Sequence, residues 1–179
     1  MNRIWRALRF GKLTIAVALV WAGAAAAHSP DGFRGATFGM SSEAVAALLA
    51  DEGMINIERR QTAEDDLIID AELDGEPNID LRYVFPAGHD ALALVVAFYP
   101  SAAELARIEA RLEAEYGPPW EAEMSEWWLE QLKHDMPETP RGLTVWGGGE
   151  GEQQRNRFVR LWSFEDYLTV EYLDTTLFP

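Results

Sequence analysis

Residues 101–119 read SAAELARIEARLEAEYGPP, and this stretch decides the fold. Ser101 and Glu104 have the spacing of a capping box, and Gly117 followed by two prolines ends the pattern. Between these ends, large apolar side chains recur every three or four residues, at Leu105, Ile108, Leu112 and Tyr116. Such a stripe predicts an amphipathic helix that packs on a sheet and joins the two halves of the chain.

Strand-like segments lie on both sides of this helix and come in runs joined by turns. Apolar and polar side chains alternate in 67–73 and 79–85, whereas 91–99 is apolar on both faces, which predicts a central strand. The predicted strands are 55–59, 67–73, 79–85, 91–99, 143–146, 157–163 and 167–173. We therefore expect an α+β fold: an antiparallel sheet of about six to seven strands with helices packed on one face, arranged as two helix-plus-meander units.

Two further helices complete the predicted domain. The first begins at Ser41 and ends at Gly53, and the second follows Pro119. The second helix has a broad apolar face made by Trp120, Met124, Trp127, Trp128 and Leu132. A single domain is expected over residues 33–177, with halves 33–100 and 101–177, after a flexible N-terminus at residues 28–32.

The first 27 residues have the pattern of a secretory signal peptide. Arg3, Arg6, Arg9 and Lys12 precede an apolar run, and Ala25 and Ala27 occupy the small-residue positions before a cleavage site ahead of His28. The apolar run is shorter than the roughly 20 residues that a membrane-spanning helix needs. The chain has no cysteine for disulfides or lipid attachment. We therefore expect a periplasmic or secreted protein without a stable membrane anchor after cleavage near Ala27.

The charge of the expected mature chain restricts its partners. Removal of the signal peptide leaves 11 basic and 30 acidic residues, a net charge of −19. A surface of this sign repels phosphate backbones and anionic lipids, which argues against nucleic-acid binding. A basic periplasmic or cell-envelope protein is the partner that this charge favours, although acidity also serves solubility alone.

Several segments resemble a group of small exported bacterial proteins. They are FRGATFGMSSEAV at 33–45, AEYGPPW at 114–120, LTVW at 143–146 and LTVEYLD at 168–174. Together they are similar to uncharacterised exported proteins with helix-plus-meander units, of the kind found in the beta-lactamase-inhibitor-protein-like and BamE-like folds. The resemblance implies a fold and an exported location, and it carries no catalytic residue with it.

Two weak metal-binding patterns occur in the chain. The tract DAELDGEPNIDL from Asp70 places Asp70 and Asp74 as in a calcium loop, but Leu81 stands where a bidentate glutamate should close the site, so a β-hairpin is the better interpretation. Cleavage ahead of His28 would expose an amine and an imidazole that could bind copper together with His89. A metal-binding exported protein is therefore one alternative function, and surface histidines at a disordered end are the simpler explanation.

Motifs of common enzyme chemistry are missing from the sequence. The chain lacks cysteine and the patterns G-x-S-x-G, H-E-x-x-H and S-x-x-K, and it offers no signature of a bound cofactor. Acidic side chains are so numerous that some will meet by chance, so proximity alone indicates no general acid. An enzyme with an unrecognised site stays the second alternative to a binding protein.

The tryptophan-rich helix is the strongest candidate for an interaction site. Trp127 and Trp128 are adjacent, so they point about 100° apart on a helix and cannot both lie at the centre of one buried face. The sequence suggests that Trp128, with acidic neighbours such as Glu126 and Glu130, is an exposed anchor for a basic partner. A glycan stacked on an exposed tryptophan is the rival interpretation. The conservative one is that Trp120, Trp127, Trp146 and Trp162 simply build a core against the second half of the sheet.

Overall fold

A computed structural model describes residues 28–75, 78–134, 136–152 and 154–178, so the predicted signal peptide lies outside the described residues. The described chain contains a seven-stranded antiparallel sheet, a two-stranded hairpin and three α-helices. The hairpin consists of β1 (Gly32–Phe33) and β2 (Ala36–Thr37), and the helices are α1 (Ser42–Asp51), α2 (Leu105–Tyr116) and α3 (Ala122–Leu132). The large sheet consists of β3 (Ile55–Gln61), β4 (Leu67–Leu73), β5 (Ile79–Phe85), β6 (Leu94–Tyr99), β7 (Gly142–Gly147), β8 (Arg157–Ser163) and β9 (Leu168–Asp174).

Two meanders join side by side to make the large sheet. Its strand order is β3-β4-β5-β6-β9-β8-β7, so the first meander ends at β6 and the second returns to pair β9 with it. The predicted antiparallel α+β sheet is confirmed. Strand β6 is the middle strand, as its apolar sequence predicts, because neighbouring residues such as Val95 and Val96 are buried on opposite faces of the sheet.

Helix α2 is the helix predicted from residues 101–119. It is preceded by a 3₁₀ turn, Ala102–Glu104, and the Ser101 hydroxyl accepts a hydrogen bond at the start of that turn. Glu104 forms an ion pair with Arg107 and does not complete the capping box. Three residues of the predicted stripe are buried in the main core: Ile108, Leu112 and Tyr116. Burial of this stripe holds α2 against the sheet.

The prediction that the helices share one face of the sheet holds for α1 and α2 but is wrong for α3. The core beneath α1 and α2 includes Trp146 on β7 and Leu161 on β8. Helix α3 instead packs against Leu143 on β7 and Trp162 on β8, which belong to a second core cluster. Successive residues of a strand point to opposite faces, so the two cores lie on opposite sides of the sheet. Strands β7 and β8 are apolar on both faces, and each face therefore needs a helix.

The N-terminal residues that the structure describes are hydrogen-bonded to the rest of the chain, although the sequence predicts flexibility for residues 28–32. The backbone N–H of His28 donates to the carbonyl oxygen of Tyr116, the last residue of α2, over 3.1 Å. The Ser29 hydroxyl donates to the carbonyl of Gln154 and accepts from the backbone N–H of Gly149. These contacts link the chain start to α2 and to the loop before β8.

Candidate interaction surfaces

Helix α3 buries a different face from the one that the sequence predicts. Its covered side chains are Ser125, Trp128, Leu129 and Leu132, which follow each other at helical spacing. Met124 and Trp127 lie outside this stripe and are 50% and 57% exposed, the two highest values among the large hydrophobic side chains that the structure describes. The predicted face was wrong because the aromatic rings on β8, which attract the Trp128 side of the helix, are far away in sequence.

Trp128 is part of a compact aromatic cluster and is not the exposed anchor that the sequence suggests. Its ring centroid lies 5.2 Å from that of Trp120 and 5.2 Å from that of Phe158, both in edge-to-face arrangements. Trp120 is held in turn by β7, since its backbone N–H donates to Val145 and its indole N–H donates to the carbonyl of Gly147. The cluster fixes α3 on the sheet, so Trp128 has a structural role.

We call the exposed side of α3 the helix surface and define it as Met124, Trp127, Glu123, Glu126 and Glu130. Met124 and Trp127 are three residues apart and therefore neighbours on the helix. The three glutamates are exposed and follow each other at spacings of three and four residues, which places them in a row beside Trp127. Only Glu130 of this row has a cationic partner among the described residues, Lys133 at 2.7 Å. The helix surface is thus an apolar patch with an acidic border.

Asp70 and Asp74, the candidates for a calcium site, have different surroundings in the structure. The Asp70 carboxylate accepts hydrogen bonds from Arg82 at 2.7 Å and from Arg60 at 2.8 Å. Partial burial would raise the pKa of Asp70, but these two guanidinium groups outweigh it and hold the pKa below its ordinary value. Strands β4 and β5 pair as an antiparallel hairpin, as the sequence favours, and Asp74 lies exposed in its turn.

The two histidines proposed for copper lie in different parts of the fold. His28 is beside the C-terminal end of α2, and His89 is in the loop between β5 and β6. Both side chains are exposed. Within the described ranges, no group of three or more histidine, aspartate or glutamate side chains has the geometry of a metal site.

A second candidate surface lies on the sheet face that α3 partly covers. Two neighbouring cavities of about 380 and 240 Å³ open on this face, and both are lined by Arg82 on β5 and Phe98 on β6. One cavity extends over acidic residues of β4 and β5, and the other reaches Met136 and Tyr167. This surface was not predicted, because its residues come from segments that are far apart in the sequence. The charged residues that alternate with apolar ones in β4 and β5 were the available signal.

Searches of known protein families, curated proteins and solved structures found no match to this chain. None of the helices in the described part of the chain is both long and apolar enough to cross a membrane.

Proposed function

We propose that the protein is a non-enzymatic interaction module that binds a basic periplasmic or cell-envelope protein through the helix surface. The observation that carries this proposal is the exposure of Met124 and Trp127 side by side on α3. Tryptophan is enriched among the residues that dominate binding energy at protein interfaces. An exposed Trp–Met pair costs solubility, so a binding role is a direct reason to keep it at the surface.

The charge around the pair supports a basic partner. Glu123, Glu126 and Glu130 border Trp127, and the whole chain carries a formal net charge of −15 at neutral pH. Carboxylates at the rim of an apolar patch attract a cationic partner during the encounter and repel an acidic one. Binding through such a rim weakens as the salt concentration rises, because exposed charges are screened.

The exported location is part of the proposal. Signal-peptide cleavage ahead of His28 would convert its backbone nitrogen into a charged amino group. That nitrogen lies 3.1 Å from the carbonyl oxygen of Tyr116 at the C-terminal end of α2, where the helix dipole favours positive charge. Mass determination of the protein recovered from the periplasm or the medium tests this: the expected N-terminal residue is His28, and recovery of the whole chain from the cytoplasm would contradict export.

The binding proposal is tested by affinity capture from cell-envelope extracts with three forms of the protein. Trp127→Ala removes the exposed indole, and Phe178→Ala serves as a control because Phe178 is another exposed aromatic side chain, 38% accessible, outside the helix surface. A protein retained by the native form and by Phe178→Ala, but lost by Trp127→Ala, supports the proposal. The retained protein is then purified and titrated against all three forms at low and high salt.

A further inference from the structure

The sheet face on which α3 packs is only partly covered, because it is open over β3, β4, β5 and β6. Helix α3 packs on β7 and β8, and the segment after α3 brings Met136 and Pro137 to the boundary of the covered area. Phe164 and Tyr167 stand at the same boundary with their rings stacked, 4.5 Å between centroids and 11° between planes. These four residues form a wall beside the open part of the sheet.

The open area and this wall make one groove. Its two cavities share Arg82 and Phe98, and the Arg82 guanidinium lies 5.5 Å from the centre of the Phe98 ring. We call this feature the sheet groove and define it by six residues: Glu72, Asp80, Arg82, Phe98, Met136 and Tyr167. It shares no residue with the helix surface.

One end of the sheet groove is acidic. Glu72 on β4 stands directly opposite Asp80 on β5, and Asp80 stands directly opposite Phe98 on β6. Glu72 accepts hydrogen bonds from the amide groups of Asn56 and Asn78, which are uncharged. Among the described residues neither carboxylate forms an ion pair. Like charges directly opposite each other destabilise a sheet, so a bound cation would relieve a repulsion that the free protein contains.

Arg82 is bound to Asp70 at 2.7 Å and forms no ion pair with Glu72 or Asp80 among the described residues. Arg60 is likewise bound to Asp70, at 2.8 Å. The two arginines share the single carboxylate of Asp70, so these three groups together carry a net charge of +1, whereas Glu72 and Asp80 together carry −2. The acidic end therefore keeps a net negative charge.

The other end of the groove is apolar. Phe98 continues into the cavity lined by Met136, Pro137, Phe164 and Tyr167. Side chains from three separate segments, β6, the segment after α3 and the β8–β9 turn, converge there. Arg82, Thr169 and Glu171 also border this cavity, but most of its lining is apolar, so its volume of about 240 Å³ suits one large apolar side chain better than a polar one.

We propose that the sheet groove binds an extended peptide segment that carries an arginine or lysine at one end and a large apolar side chain at the other. The cationic side chain meets Glu72 and Asp80, and the apolar one enters the cavity beside Tyr167. Neighbouring strands lie about 4.8 Å apart, so the three steps from β4 to β9 span roughly 14 Å. An extended chain rises about 3.3 Å per residue, so the two side chains are about four positions apart.

The acidic end of the sheet groove favours a cationic peptide over the other molecules that could bind a sheet face. Anionic lipids and nucleic acids are repelled by Glu72 and Asp80. A second copy of this chain would bring its own negative charge to the groove. The proposal for the sheet groove does not depend on the helix surface, so an experiment that refutes one of the two proposals does not refute the other.

The test uses the isotopically labelled protein and the peptide acetyl-Arg-Ser-Ser-Ser-Phe-amide, followed by amide chemical-shift changes. The expected result is saturable shifts at Asp80 and Phe98, with binding at least ten times weaker for the matched peptide acetyl-Glu-Ser-Ser-Ser-Phe-amide. Equal binding of the two peptides, or no shift in the groove at millimolar peptide, would overturn the proposal. Shifts that instead follow protein concentration without peptide would identify a self-association surface and would also overturn it.

Two variants complete the test. The double variant Glu72→Gln, Asp80→Asn keeps side-chain shape and removes the charge, so we expect at least a tenfold loss of arginine-peptide binding. Its melting temperature should equal or exceed that of the native protein, because a repulsion has been removed. Trp127→Ala should bind the peptide as the native protein does. Unchanged peptide binding by the double variant, or loss of binding by Trp127→Ala alone, would contradict the assignment to the groove.

Discussion

The indole N–H of Trp162 on β8 donates a hydrogen bond to a carboxylate oxygen of Glu171 on β9, over 2.7 Å. The same oxygen accepts a hydrogen bond from Arg160 at 2.8 Å. Trp162 is fully buried beneath α3, and Glu171 is only 8% exposed. One buried carboxylate thus connects the core cluster beneath α3 to the part of β9 that borders the sheet groove.

We expect Glu171→Ala to lower the free energy of unfolding by about 3–5 kcal/mol, because a buried indole N–H and a guanidinium lose their common acceptor. Glu171→Gln keeps an amide oxygen for the indole and should cost less, about 1–2 kcal/mol. Urea denaturation of both variants measures the difference. Equal losses for the two would show that the acceptor oxygen at this position does not matter.

Acid sensitivity should depend in part on Asp70. Burial raises its pKa in the folded protein, but Arg82 and Arg60 outweigh this effect and lower it, whereas the pKa in the unfolded chain should be about 3.9. A lowered folded-state pKa gives stability that is fully present above the unfolded value and is lost as the pH falls through the folded value. We therefore expect Asp70→Asn to be less stable than the native protein near pH 7, and the gap to close below about pH 4. A gap that stays constant to pH 2 in denaturant titrations would refute this role.

The packing of α2 is tested at Leu112, which is fully buried. Leu112→Ala should cost about 2–5 kcal/mol, because it removes buried methyl groups and leaves a cavity. Leu105 lies on the same stripe but is only partly buried, so Leu105→Ala should lower the free energy of unfolding clearly less than Leu112→Ala does. A loss well under about 1 kcal/mol for Leu112→Ala would mean that the stripe does not pack on the sheet.

The adjacent tryptophans of α3 should behave in opposite ways. Trp128→Ala removes a ring that contacts Trp120 and Phe158 and should lower the free energy of unfolding by about 3 kcal/mol. Trp127→Ala should change it by no more than about 0.5 kcal/mol, since its side chain faces solvent. Thermal unfolding followed by circular dichroism compares the two. A large loss for Trp127→Ala would show that this indole supports the fold.

The sheet was predictable because its strands carry the information locally. The alternation of apolar and polar residues predicted β4 and β5, and the apolar run predicted β6. Because several strands follow one another with only turns between them, antiparallel pairing was expected. The position of α3 was not predictable in this way. Strands β7 and β8 are apolar on both faces, so either side of the sheet could have received the helix, and the choice depends on the whole packed core.

The interaction surfaces were predictable only in part. Two adjacent tryptophans on one helix implied that one is exposed, but not that it is Trp127, because the choice is made by Phe158 and Trp162 on β8. The sheet groove depends on the register that places Glu72 opposite Asp80 and Asp80 opposite Phe98. Register between strands is a tertiary property, and the sequence pattern alone indicated only that these faces contain charges.

The most direct test of the proposed function compares the affinity of the captured envelope protein for the native protein, Trp127→Ala and Phe178→Ala by calorimetric titration. A central tryptophan of an interface is worth 2 kcal/mol or more, so we predict that Trp127→Ala binds at least about 30 times more weakly while Phe178→Ala is unchanged. We also predict that the partner is a basic protein and that its binding weakens with salt. Equal affinities for the native protein and Trp127→Ala would contradict the account.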